Sequence, residues 1–395
     1  MCTKSMRILQ VVPWFSTGKA ASGYVQVVYN ISRELVKRGH EVEVYTSNFL
    51  GGKRKVKNGY IIIGQIKVNF FNYIVRHCGF FLTPSMISAA RINLKTFDVV
   101  HIHDFRNFQS IVAQYYARKY CVSYVLQAHG SLSRIGSWQM VKWIYDAFFG
   151  YRLLKGASKV IALSNVEVEQ YKAMGVPEEN IAIIPNGIDL SEYAELLPKG
   201  AFKKKFNIPE DKKIILYLGR IHKIKGIDFL IRAYAHLKNE MNFKDATLVI
   251  AGPDDGYLSE AKSLVHNLGV SNLVMFTGLL SEKDKIKAYV DASIVTYLGP
   301  FEPYGLVPLE AAACETPVIV TQGTPMAEIV NRGKFGFSVK YGDIISLASM
   351  IHRVLNDEEL AENLGKNGRK YVLNNLGWDR IVEKYEQVYE EVAKC

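Results

Sequence analysis

Three consecutive stretches decide the fold class: RILQVVP at residues 7–13, VQVVYNISRELVKRG at residues 25–39 and EVEVYT at residues 41–46. The first and the third are short and rich in the residue types that favour strands. The second has apolar residues at helical spacing and ends at Gly39, a residue type that commonly follows the last turn of a helix. With the Ser-, Gly- and Ala-rich loop at residues 16–23 between them, these stretches predict a strand, a loop, a helix and a second strand.

The same alternation continues through the first half of the chain and restarts in the second half. Further strands of the first half are predicted at Asp98–Ile102, Tyr124–Gln127 and Lys159–Leu163. The second half predicts strands at Lys213–Gly219, Ala246–Gly252, Asn272–Thr277 and Ile294–Tyr297, and helices at Ile227–Lys238 and Glu282–Asp291. Such alternation builds parallel sheets that helices cover on both faces. We therefore expect the α/β class, with two doubly wound, Rossmann-like domains whose strand-end loops carry the chemistry.

A length of 395 residues agrees with two domains, at about 100–200 residues per domain. We assign residues 1–195 to the first domain and residues 196–377 to the second. The remaining segment, 378–395, contains the amphipathic helix Trp378–Ala393, which we expect to pack back on the first domain.

Membrane-spanning and exported classes are not favoured by the sequence. No apolar run reaches the roughly 18–20 residues that span a bilayer, and Met1–Phe15 lacks the pattern of a signal peptide. Five widely spaced cysteines without a C-x-x-C pair argue against a disulfide framework or a zinc site. We expect a cytoplasmic protein.

The net charge of +11 is concentrated in the first half of the chain. Residues 1–195 hold 23 Lys and Arg against 13 Asp and Glu, a balance of +10, and residues 196–395 hold 26 against 25, a balance of +1. Such an excess attracts anionic partners, which include nucleic acid, an anionic membrane and phosphorylated small molecules. It can also serve solubility alone.

The most specific motif is FEPYGLVPLEAA at residues 301–312, directly after a predicted strand. Pro308 fits the first turn of a helix, and backbone N–H groups at a helix start favour anions. Glu302 lies just outside this helix and Glu310 about one turn inside it, so the two carboxylates can bind different hydroxyl groups of one polyhydroxylated ligand. The structural alternative is that Glu302 only caps the helix and Glu310 is a surface charge.

Six motifs in order give a resemblance that covers nearly the whole chain. They are HIHD at 101–104, AHG at 128–130, IPNGID at 184–189, LGR at 218–220 with KG at 225–226, AGPD at 251–254 and FEPYGLVPLEAA. Together they resemble the signature of the retaining nucleotide-sugar glycosyltransferases of the GT-B fold, family 4 (glycosyl transferases group 1). The resemblance implies two Rossmann-like domains that face each other across a cleft. It also implies transfer of a hexose from a nucleotide-diphosphate sugar to an acceptor hydroxyl, with retention of anomeric configuration.

The resemblance places the donor site on the second domain. Arg220 and Lys225 correspond to residues that hold the donor diphosphate, where negative charge develops in the transition state. Glu310 corresponds to the residue that holds the ribose hydroxyls, and Glu302 to one that contacts the donor hexose. Further donor contacts are expected from Phe301, Pro303, Tyr304, Gly305 and Leu306. If Arg220 is only structural, it should pair with a carboxylate on the same sheet.

His129 and Gly23 are the candidates in the first domain. By the resemblance, His129 hydrogen-bonds the donor sugar and joins Arg220, Lys225 and Glu302 as a catalytic residue. Gly23 has no Cβ, so its N–H can approach the donor phosphate. The family usually has two adjacent glycines here, whereas this chain has Ser22-Gly23, which leaves the path of the loop open. Two further histidines, His101 and His103, are expected to be core residues.

No metal and no cofactor are expected. Asp254 and Asp255 are adjacent acids on a loop, which make a poor octahedral cage, and the nearby Arg and Lys already neutralise a diphosphate. Neither a G-x-x-x-x-G-K-[ST] loop nor a strand-linked G-x-G-x-x-G is present, which argues against nucleoside triphosphatases and dehydrogenases. No carboxylate nucleophile is evident, so the resemblance favours front-face displacement, in which the leaving phosphate takes the proton of the acceptor.

Two other functions stay open. One is a sugar-nucleotide epimerase of the same architecture. The other is a basic nucleic-acid-binding protein, although no nucleic-acid-binding motif is present and we expect no nucleic acid partner.

The expected acceptor is a sugar, a polyol or a lipid-linked molecule. Residues 68–94 are aromatic and basic, and residues 138–152 form a second stretch of this kind. Each is either a core segment or a surface that lies on an anionic membrane. The sequence thus predicts peripheral association at the inner membrane surface that depends on Phe70–Lys95, with a soluble acceptor as the alternative.

Overall fold

The computed structural model describes residues 5–15, 23–51, 54–77, 79–134, 138–243, 245–302 and 304–393. The chain forms two compact units. The first unit contains Met1–Gly187 and Trp378–Cys395, and the second contains Ile188–Gly377. The division thus follows Gly187, whereas the sequence analysis set the boundary after residue 195.

The first unit alternates strands and helices. Its strands are β1 (Arg7–Val11), β2 (Glu41–Ser47), β3 (Phe49–Gly51), β4 (Arg54–Lys55), β5 (Gly59–Ile63), β6 (Ile66–Phe71), β7 (Val75–His77), β8 (Phe80–Leu82), β9 (Val99–His103), β10 (Ser123–Gln127), β11 (Lys159–Ala162) and β12 (Ile181–Ile183). Its helices are α1 (Tyr24–Lys37), α2 (Ser85–Asn93), α3 (Phe108–Lys119), α4 (Gln139–Tyr145), α5 (Tyr151–Lys155) and α6 (Asn165–Ala173), with a π-helical turn at Asp146–Gly150.

One eight-stranded sheet of the described residues runs in the order β12-β11-β10-β9-β1-β2-β6-β5. Its pairs are parallel except for β5 against β6. The strand order reverses between β1 and β9, where Leu9 lies opposite Val100. Helices cover this sheet, so β9 is buried at every residue. Buried strands of parallel sheets are mostly apolar, which makes the histidines of β9 unusual core residues.

The second unit holds a six-stranded, all-parallel sheet in the order β15-β14-β13-β16-β17-β18. Its strands are β13 (Lys213–Leu218), β14 (Ala246–Ala251), β15 (Val274–Gly278), β16 (Ile294–Tyr297), β17 (Val318–Thr321) and β18 (Gly336–Val339). Its helices are α7 (Ala201–Phe206), α8 (Ile227–Asn239), α9 (Leu258–Asn267), α10 (Glu282–Asp291), α11 (Val307–Ala313), α12 (Pro325–Gly333), α13 (Ile344–Asn356) and α14 (Glu358–Asn375). The α/β class and the two parallel sheets confirm the predicted fold class.

The last helix, α15 (Trp378–Ala393), belongs to the first unit. Its apolar face is buried, and two of its tyrosines meet polar side chains of the sheet. The Tyr385 hydroxyl donates a 3.0 Å hydrogen bond to Oε1 of Gln127, and the Tyr389 hydroxyl lies 2.6 Å from Nδ1 of His101. Arg38, after α1, pairs with Glu386 at 2.8 Å. The helix therefore closes the core of the first unit.

Candidate functional site

Two loops of the second unit meet where the strand order of its sheet reverses. β13 has β14 on one side and β16 on the other. Open α/β sheets bind ligands outside the carboxyl ends of their strands at such a switch point. The loop after β13 carries Arg220 and Lys225, and the loop after β16 carries Glu302. The topology therefore brings three of the predicted site residues to one edge of one sheet.

Lys225 and Glu302 form an ion pair between these two loops. The other carboxylate oxygen of Glu302, Oε2, accepts a 2.7 Å hydrogen bond from the hydroxyl of Tyr297. The side chains of Lys225 and Glu302 are only 17% and 9% exposed. Removing one partner of a buried pair leaves an uncompensated charge, at a cost of about 3–5 kcal/mol. Loss of either partner therefore lowers the stability of the second unit, in addition to any effect on binding.

Two glycines allow the close approach of these loops. Gly226 has φ +70°, and a Cβ there would lie 2.6 Å from the carbonyl oxygen of Leu298. A Cβ on Gly305 would lie 2.4 Å from Cζ of Tyr297. Both distances are far below any real Cβ contact, so only glycine fits. Gly226 seats the Lys225 turn on the loop after β16, and Gly305 leaves room for the ring that contacts Glu302.

Arg220 has an exposed partner. Its Nη1 lies 2.5 Å from Oδ2 of Asp255, which follows the neighbouring strand β14, and the two side chains are 55% and 40% exposed. This pairing matches the structural alternative for Arg220. Exposed ion pairs contribute only about 0–1 kcal/mol, however. The guanidinium can therefore leave Asp255 for a phosphate, to which it offers a bidentate fork.

The buried Tyr217 contacts the backbone of Arg220. Its hydroxyl donates a 2.8 Å hydrogen bond to the Arg220 carbonyl oxygen. Burial raises the pKa of Tyr217 well above its ordinary range, the charge of Glu302 adds to the rise, and the charge of Arg220 opposes it. The charges of Glu302 and Arg220 therefore act in opposite directions on one buried hydroxyl.

Asp254 and Asp255 have separate roles. Oδ1 of Asp254 accepts backbone N–H groups of Gly256, Tyr257 and Leu258 at 2.9, 3.2 and 3.2 Å, which fixes the start of α9. These hydrogen bonds, chiefly the one from Leu258, lower the pKa of the Asp254 carboxyl. Asp255 turns to Arg220 instead. Within the described residues, no group of three or more His, Cys, Asp and Glu side chains is arranged to hold a metal ion.

Glu310 lies in α11 with two partners from α10. Its Oε2 accepts a 2.7 Å hydrogen bond from the Tyr289 hydroxyl, and Nζ of Lys285 lies 3.3 Å from the carboxylate. Burial alone would lower the pKa of Lys285, but the charges of Glu310 and Glu282 outweigh it and raise that pKa. The Glu310 side chain is only 14% exposed, so it is not a simple surface charge.

The other residues of the motif surround the start of α11. Leu306 precedes the helix, Pro308 lies in its first turn as predicted, and Phe301 projects into solvent. Tyr304 is half-buried and Gly305 is buried. Pro303 was also predicted to bind the donor, but it lies outside the described residues.

In the first unit, His129 follows β10 and contacts another histidine. Nε2 of His129 lies 2.9 Å from Nδ1 of His103, and Nε2 of His103 lies 2.6 Å from Oε1 of Gln10. The ring of Tyr24 stacks on His129 with centroids 5.3 Å apart. Burial lowers the pKa of His129 to about 3, so the imidazole is neutral near pH 7. A neutral imidazole can donate with one nitrogen and accept with the other.

A buried carboxylate holds the backbone beside His129. Glu167 of α6 accepts the N–H of Gly130 and the N–H of Leu163, both at 2.7 Å. Burial raises the pKa of Glu167 to about 7, against the opposing effect of these two N–H groups. His129 itself has φ +52°, a backbone conformation rare outside glycine. His129 thus has a strained backbone conformation, and Glu167 fixes the residue that follows it.

The remaining candidates of the first unit differ from one another. Gly23 precedes α1 with φ +73°, a conformation that suits glycine, and Ser22 lies outside the described residues. His101 and His103 are fully buried. His101 contacts Tyr389, as expected of a core residue, whereas His103 touches His129 directly.

Several contributors escape detection in the sequence. Tyr297, Tyr289 and Lys285 contact the two glutamates. Gln10 contacts His103, which contacts His129, and Glu167 accepts the N–H of Gly130. Only Lys285 and Tyr289 carry a local signal, because their four-residue spacing places them on one face of a helix. Gln10 and Glu167 lie 93 and 37 positions from His103 and Gly130, whereas Tyr297 lies five positions before Glu302 without forming a recognised motif with it.

Two family models match this chain and together span most of it. The model described as glycosyl transferases group 1 matches residues 198–371, and the model described as glycosyltransferase Family 4 matches residues 21–192. Each match therefore falls almost wholly within one of the two units.

Similar proteins agree with these models over nearly full length. An uncharacterized glycosyltransferase of Methanocaldococcus jannaschii is 29% identical, with 97% of each chain covered. The N-acetyl-alpha-D-glucosaminyl L-malate synthase of Bacillus anthracis is 26% identical, with 92% of each covered. The solved structure of Anabaena HepE in complex with UDP and glucose superposes with a TM-score of 0.76 at 19% identity, covering 99% of this chain and 100% of that one. This last likeness shows a shared fold.

Proposed function

Since the chain belongs to the glycosyltransferases of group 1 and Family 4, we propose that it transfers a hexose from a nucleotide-diphosphate sugar to an acceptor hydroxyl with retention of configuration. The second unit holds the nucleotide diphosphate, and the first unit binds the acceptor. Neither a resident cofactor nor a metal ion takes part. The epimerase and nucleic-acid-binding alternatives are not favoured, because the family models and the relatives are glycosyltransferases.

One observation carries the proposal: Arg220 and Lys225 lie with Glu302 at the switch point of the second sheet. A donor diphosphate brings negative charge, and two cations beside the carboxyl ends of β13 and β16 match it. Breaking the bond between sugar and phosphate increases the charge on the leaving group. Cations already in place stabilise that charge without reorganisation.

The glutamates fit the polyhydroxylated parts of the donor. Glu302 is held by Lys225 and Tyr297, so we assign it to hydroxyl groups of the hexose and not to nucleophilic attack. Glu310 is assigned to the ribose hydroxyls, with its carboxylate oriented by Tyr289. Further donor contacts are assigned to Gly23, Phe301, Pro303, Tyr304, Gly305 and Leu306.

Without a protein nucleophile, we favour a front-face mechanism. The acceptor oxygen forms the new bond to the anomeric carbon while the bond from that carbon to the phosphate oxygen breaks on the same face. The proton of the acceptor hydroxyl passes to the leaving phosphate. Arg220 and Lys225 stabilise the departing diphosphate, and His129 orients the donor sugar.

The donor is identified by a panel of nucleotide sugars. UDP-glucose is a natural first probe, because the structural neighbour HepE was solved with UDP and glucose. Release of the nucleoside diphosphate is measured with and without candidate acceptors, and with EDTA. We expect acceptor-dependent release that EDTA leaves unchanged. An absolute need for Mg²⁺ or Mn²⁺ would contradict the metal-free proposal.

Arg220→Ala is the main test of the diphosphate assignment. We expect kcat/KM for the donor to fall by the equivalent of about 2–5 kcal/mol, because a charged contact to the ligand is lost. Unfolding in urea should change little, since the Arg220 side chain is 55% exposed. Glu310→Ala should also impair donor use. Lys225→Ala is less informative, because it leaves Glu302 without its buried partner.

Lys223→Ala is the matched control. Lys223 is an exposed lysine in the same loop as Arg220, so its removal changes the local charge equally. We expect nearly normal kcat/KM for this variant. Near-normal turnover in Arg220→Ala, or equal losses in both variants, would contradict the specific contact to the diphosphate.

We further propose that the acceptor is reached at an anionic membrane surface, on the cytoplasmic side. Phe70, Phe71, Phe81 and Met86 of the stretch Phe70–Lys95 are buried in the core, whereas its apolar residues Ile74, Val75, Ile87 and Ile92 are exposed. Further exposed apolar side chains lie on α4, in which no residue is buried. We define the aromatic patch as Ile74, Val75, Trp138, Trp143 and Phe148, all exposed.

One ring contact links β7 to Trp138, and basic residues follow farther along the chain. His77 of β7 meets the ring of Trp138 edge-on, with centroids 5.1 Å apart. Exposed Arg152 and Lys155 follow on α5. Aromatic rings lie at the headgroup level of a bilayer, and each nearby Lys or Arg adds about 1 kcal/mol at an anionic leaflet. Within the described residues, no helix is both long enough and apolar enough to cross a membrane.

Sedimentation with vesicles tests this surface. We expect the protein to bind phosphatidylserine-containing vesicles in low salt, and binding to weaken as salt rises. The double variant Trp143→Ser, Phe148→Ser should lose most of this binding. Leu279→Ser is the control, because Leu279 is also an exposed apolar residue but belongs to the second unit. Equal binding by all three proteins would contradict the role of the aromatic patch and favour a soluble acceptor.

A further inference from the structure

Three polar side chains form a buried chain behind the candidate sugar-binding histidine. Gln10 lies in β1, His103 ends β9, and His129 follows β10. Gln10 and His103 are fully buried. The links are 2.6 Å from Gln10 Oε1 to His103 Nε2, and 2.9 Å from His103 Nδ1 to His129 Nε2. Strands adjacent in the sheet thus connect a glutamine of the core to His129.

Gln10 determines which ring nitrogens of His103 and His129 carry a proton. An amide oxygen only accepts, so Nε2 of His103 carries a proton and donates it to Gln10. A neutral His103 then has a lone pair on Nδ1, which accepts the Nε2–H of His129. His129, neutral as well, is left with a lone pair on Nδ1. Burial keeps both rings neutral by lowering their pKa values, that of His129 to about 3.

Nδ1 of His129 has no hydrogen-bond partner among the described residues and is shielded from water. Buried polar atoms are nearly always paired, so an unpaired one calls for an explanation. The surroundings are ordered. Tyr24 stacks on the ring, the N–H of Ala128 donates a 3.0 Å hydrogen bond to the Tyr171 hydroxyl, and Glu167 accepts the N–H of Gly130. The ring is therefore fixed with its acceptor nitrogen unused by the protein.

We propose that Gln10 and His103 are positioning residues that fix the tautomer of His129, so that its Nδ1 accepts a hydrogen bond from a hydroxyl of the donor sugar. This inference rests on the proposed function, in which His129 binds that sugar. With Nε2–H donated to His103, Nδ1 of His129 can only accept a hydrogen bond. It therefore favours a hydroxyl at this position and disfavours a group that can only accept.

Nitrogen NMR of the free protein tests the tautomer without any ligand. In protein labelled at the histidine ring nitrogens, the signals of His129 are assigned by their absence from His129→Gln. We expect a protonated Nε2 and an unprotonated Nδ1, unchanged between pH 8 and pH 5. A proton on Nδ1 would overturn the inference, because the order of protons would then run in the opposite direction.

Two pairs of matched variants test whether Gln10 and His103 position His129. Gln10→Leu removes the first acceptor, and Gln127→Leu removes a glutamine that is equally buried, at the end of β10, but contacts Tyr385 instead. His103→Phe removes the link to His129, and His101→Phe removes the neighbouring buried histidine of β9. All four are compared for unfolding in urea, for the His129 tautomer and for turnover of the donor selected by the panel.

We expect Gln10→Leu and His103→Phe to give a mixture of His129 tautomers and a loss of about tenfold or more in kcat/KM, the size expected when a buried hydrogen-bonding group loses its partner. Gln127→Leu and His101→Phe should keep the single tautomer and lose little turnover beyond any loss of folded protein. Equal effects within each matched pair would overturn the positioning role of Gln10 and His103. The expected tautomer in a protein that turns over no nucleotide sugar would instead contradict the proposed function, and with it the role of the lone pair.

Discussion

Arg220 and Asp255 form an exposed pair that also has an alternative explanation, in which the arginine only holds the loop after β14. We expect Asp255→Ala to keep kcat/KM for the donor within about threefold of the wild-type value, because an exposed pair contributes about 0–1 kcal/mol. Arg220→Ala should lose far more. Measurement of kcat/KM for the donor in both variants distinguishes the two explanations. Equal losses would mean that Arg220 acts through Asp255 and not on the donor.

Single residues also mark the limit of what the sequence can predict about the site. Its motifs identify Arg220, Lys225, Glu302 and Glu310, which the structure brings to loops and helices at one end of the second unit. The partners that orient them stay hidden, because Lys225 meets Glu302 across 77 positions of the chain. Whether a carboxylate is paired depends on loop packing, which no local pattern encodes.

Among the elements, the turn between β13 and α8 depends on Gly226. Gly226 and Gly278 have nearly the same φ, +70° and +71°, so an alanine at either position adopts a left-handed backbone, at about 1–2 kcal/mol. Only at Gly226 would the new Cβ meet a backbone oxygen, that of Leu298, whereas Gly278 has open space. We expect Gly226→Ala to weaken donor binding and lower stability, and Gly278→Ala to lower stability alone.

Donor KM and the free energy of unfolding in urea separate these two effects. An unchanged KM in Gly226→Ala would show that the position of Lys225 does not depend on its contact with the loop after β16. A raised KM in Gly278→Ala would mean that backbone strain anywhere near the strand ends weakens donor binding. The contact between Gly226 and Leu298 would then not explain the effect of Gly226→Ala.

Elements were predicted well where periodicity is strong and poorly where it is not. The helix Glu282–Asp291 and the strand Ile294–Tyr297 match the structure at both ends. Residues 68–94 mislead, because their apolar residues divide among the end of β6, the β7–β8 hairpin and α2. Tertiary packing buries Phe70 and Phe81 and exposes Ile74, a distinction that composition does not contain.

At the scale of the whole molecule, buried ionisable groups make the stability of the first unit depend on pH. Burial lowers the pKa of His101 and His103 well below its ordinary value, and that of His129 to about 3. Below an ordinary value near 6.5, these histidines bind protons when unfolded but not when folded. Stability is therefore lost as pH falls. Glu167 acts in the opposite direction, since its pKa is raised by burial to about 7 and it binds a proton more readily when folded.

Burial also raises the pKa of Asp104, against the opposing effects of its hydrogen bonds and of Arg106. Because the three histidines outweigh Glu167 and Asp104, we expect the free energy of unfolding to fall by about 2–4 kcal/mol between pH 7 and pH 5. Tryptophan fluorescence in urea reports it, since all four tryptophans, Trp14, Trp138, Trp143 and Trp378, belong to the first unit. Glu167→Gln should make the loss steeper. A first unit whose stability rises on acidification would contradict these assignments.

The helix α15 also constrains the order in which the protein can fold during synthesis. Residues 378–393 complete the core of the first unit, yet the ribosome makes them after the entire second unit. The second unit is one uninterrupted segment and can fold as soon as it emerges. The first unit must wait, with the polar groups that Tyr385 and Tyr389 later cover still open to water. The half of the molecule that is translated first is therefore the half that is finished last.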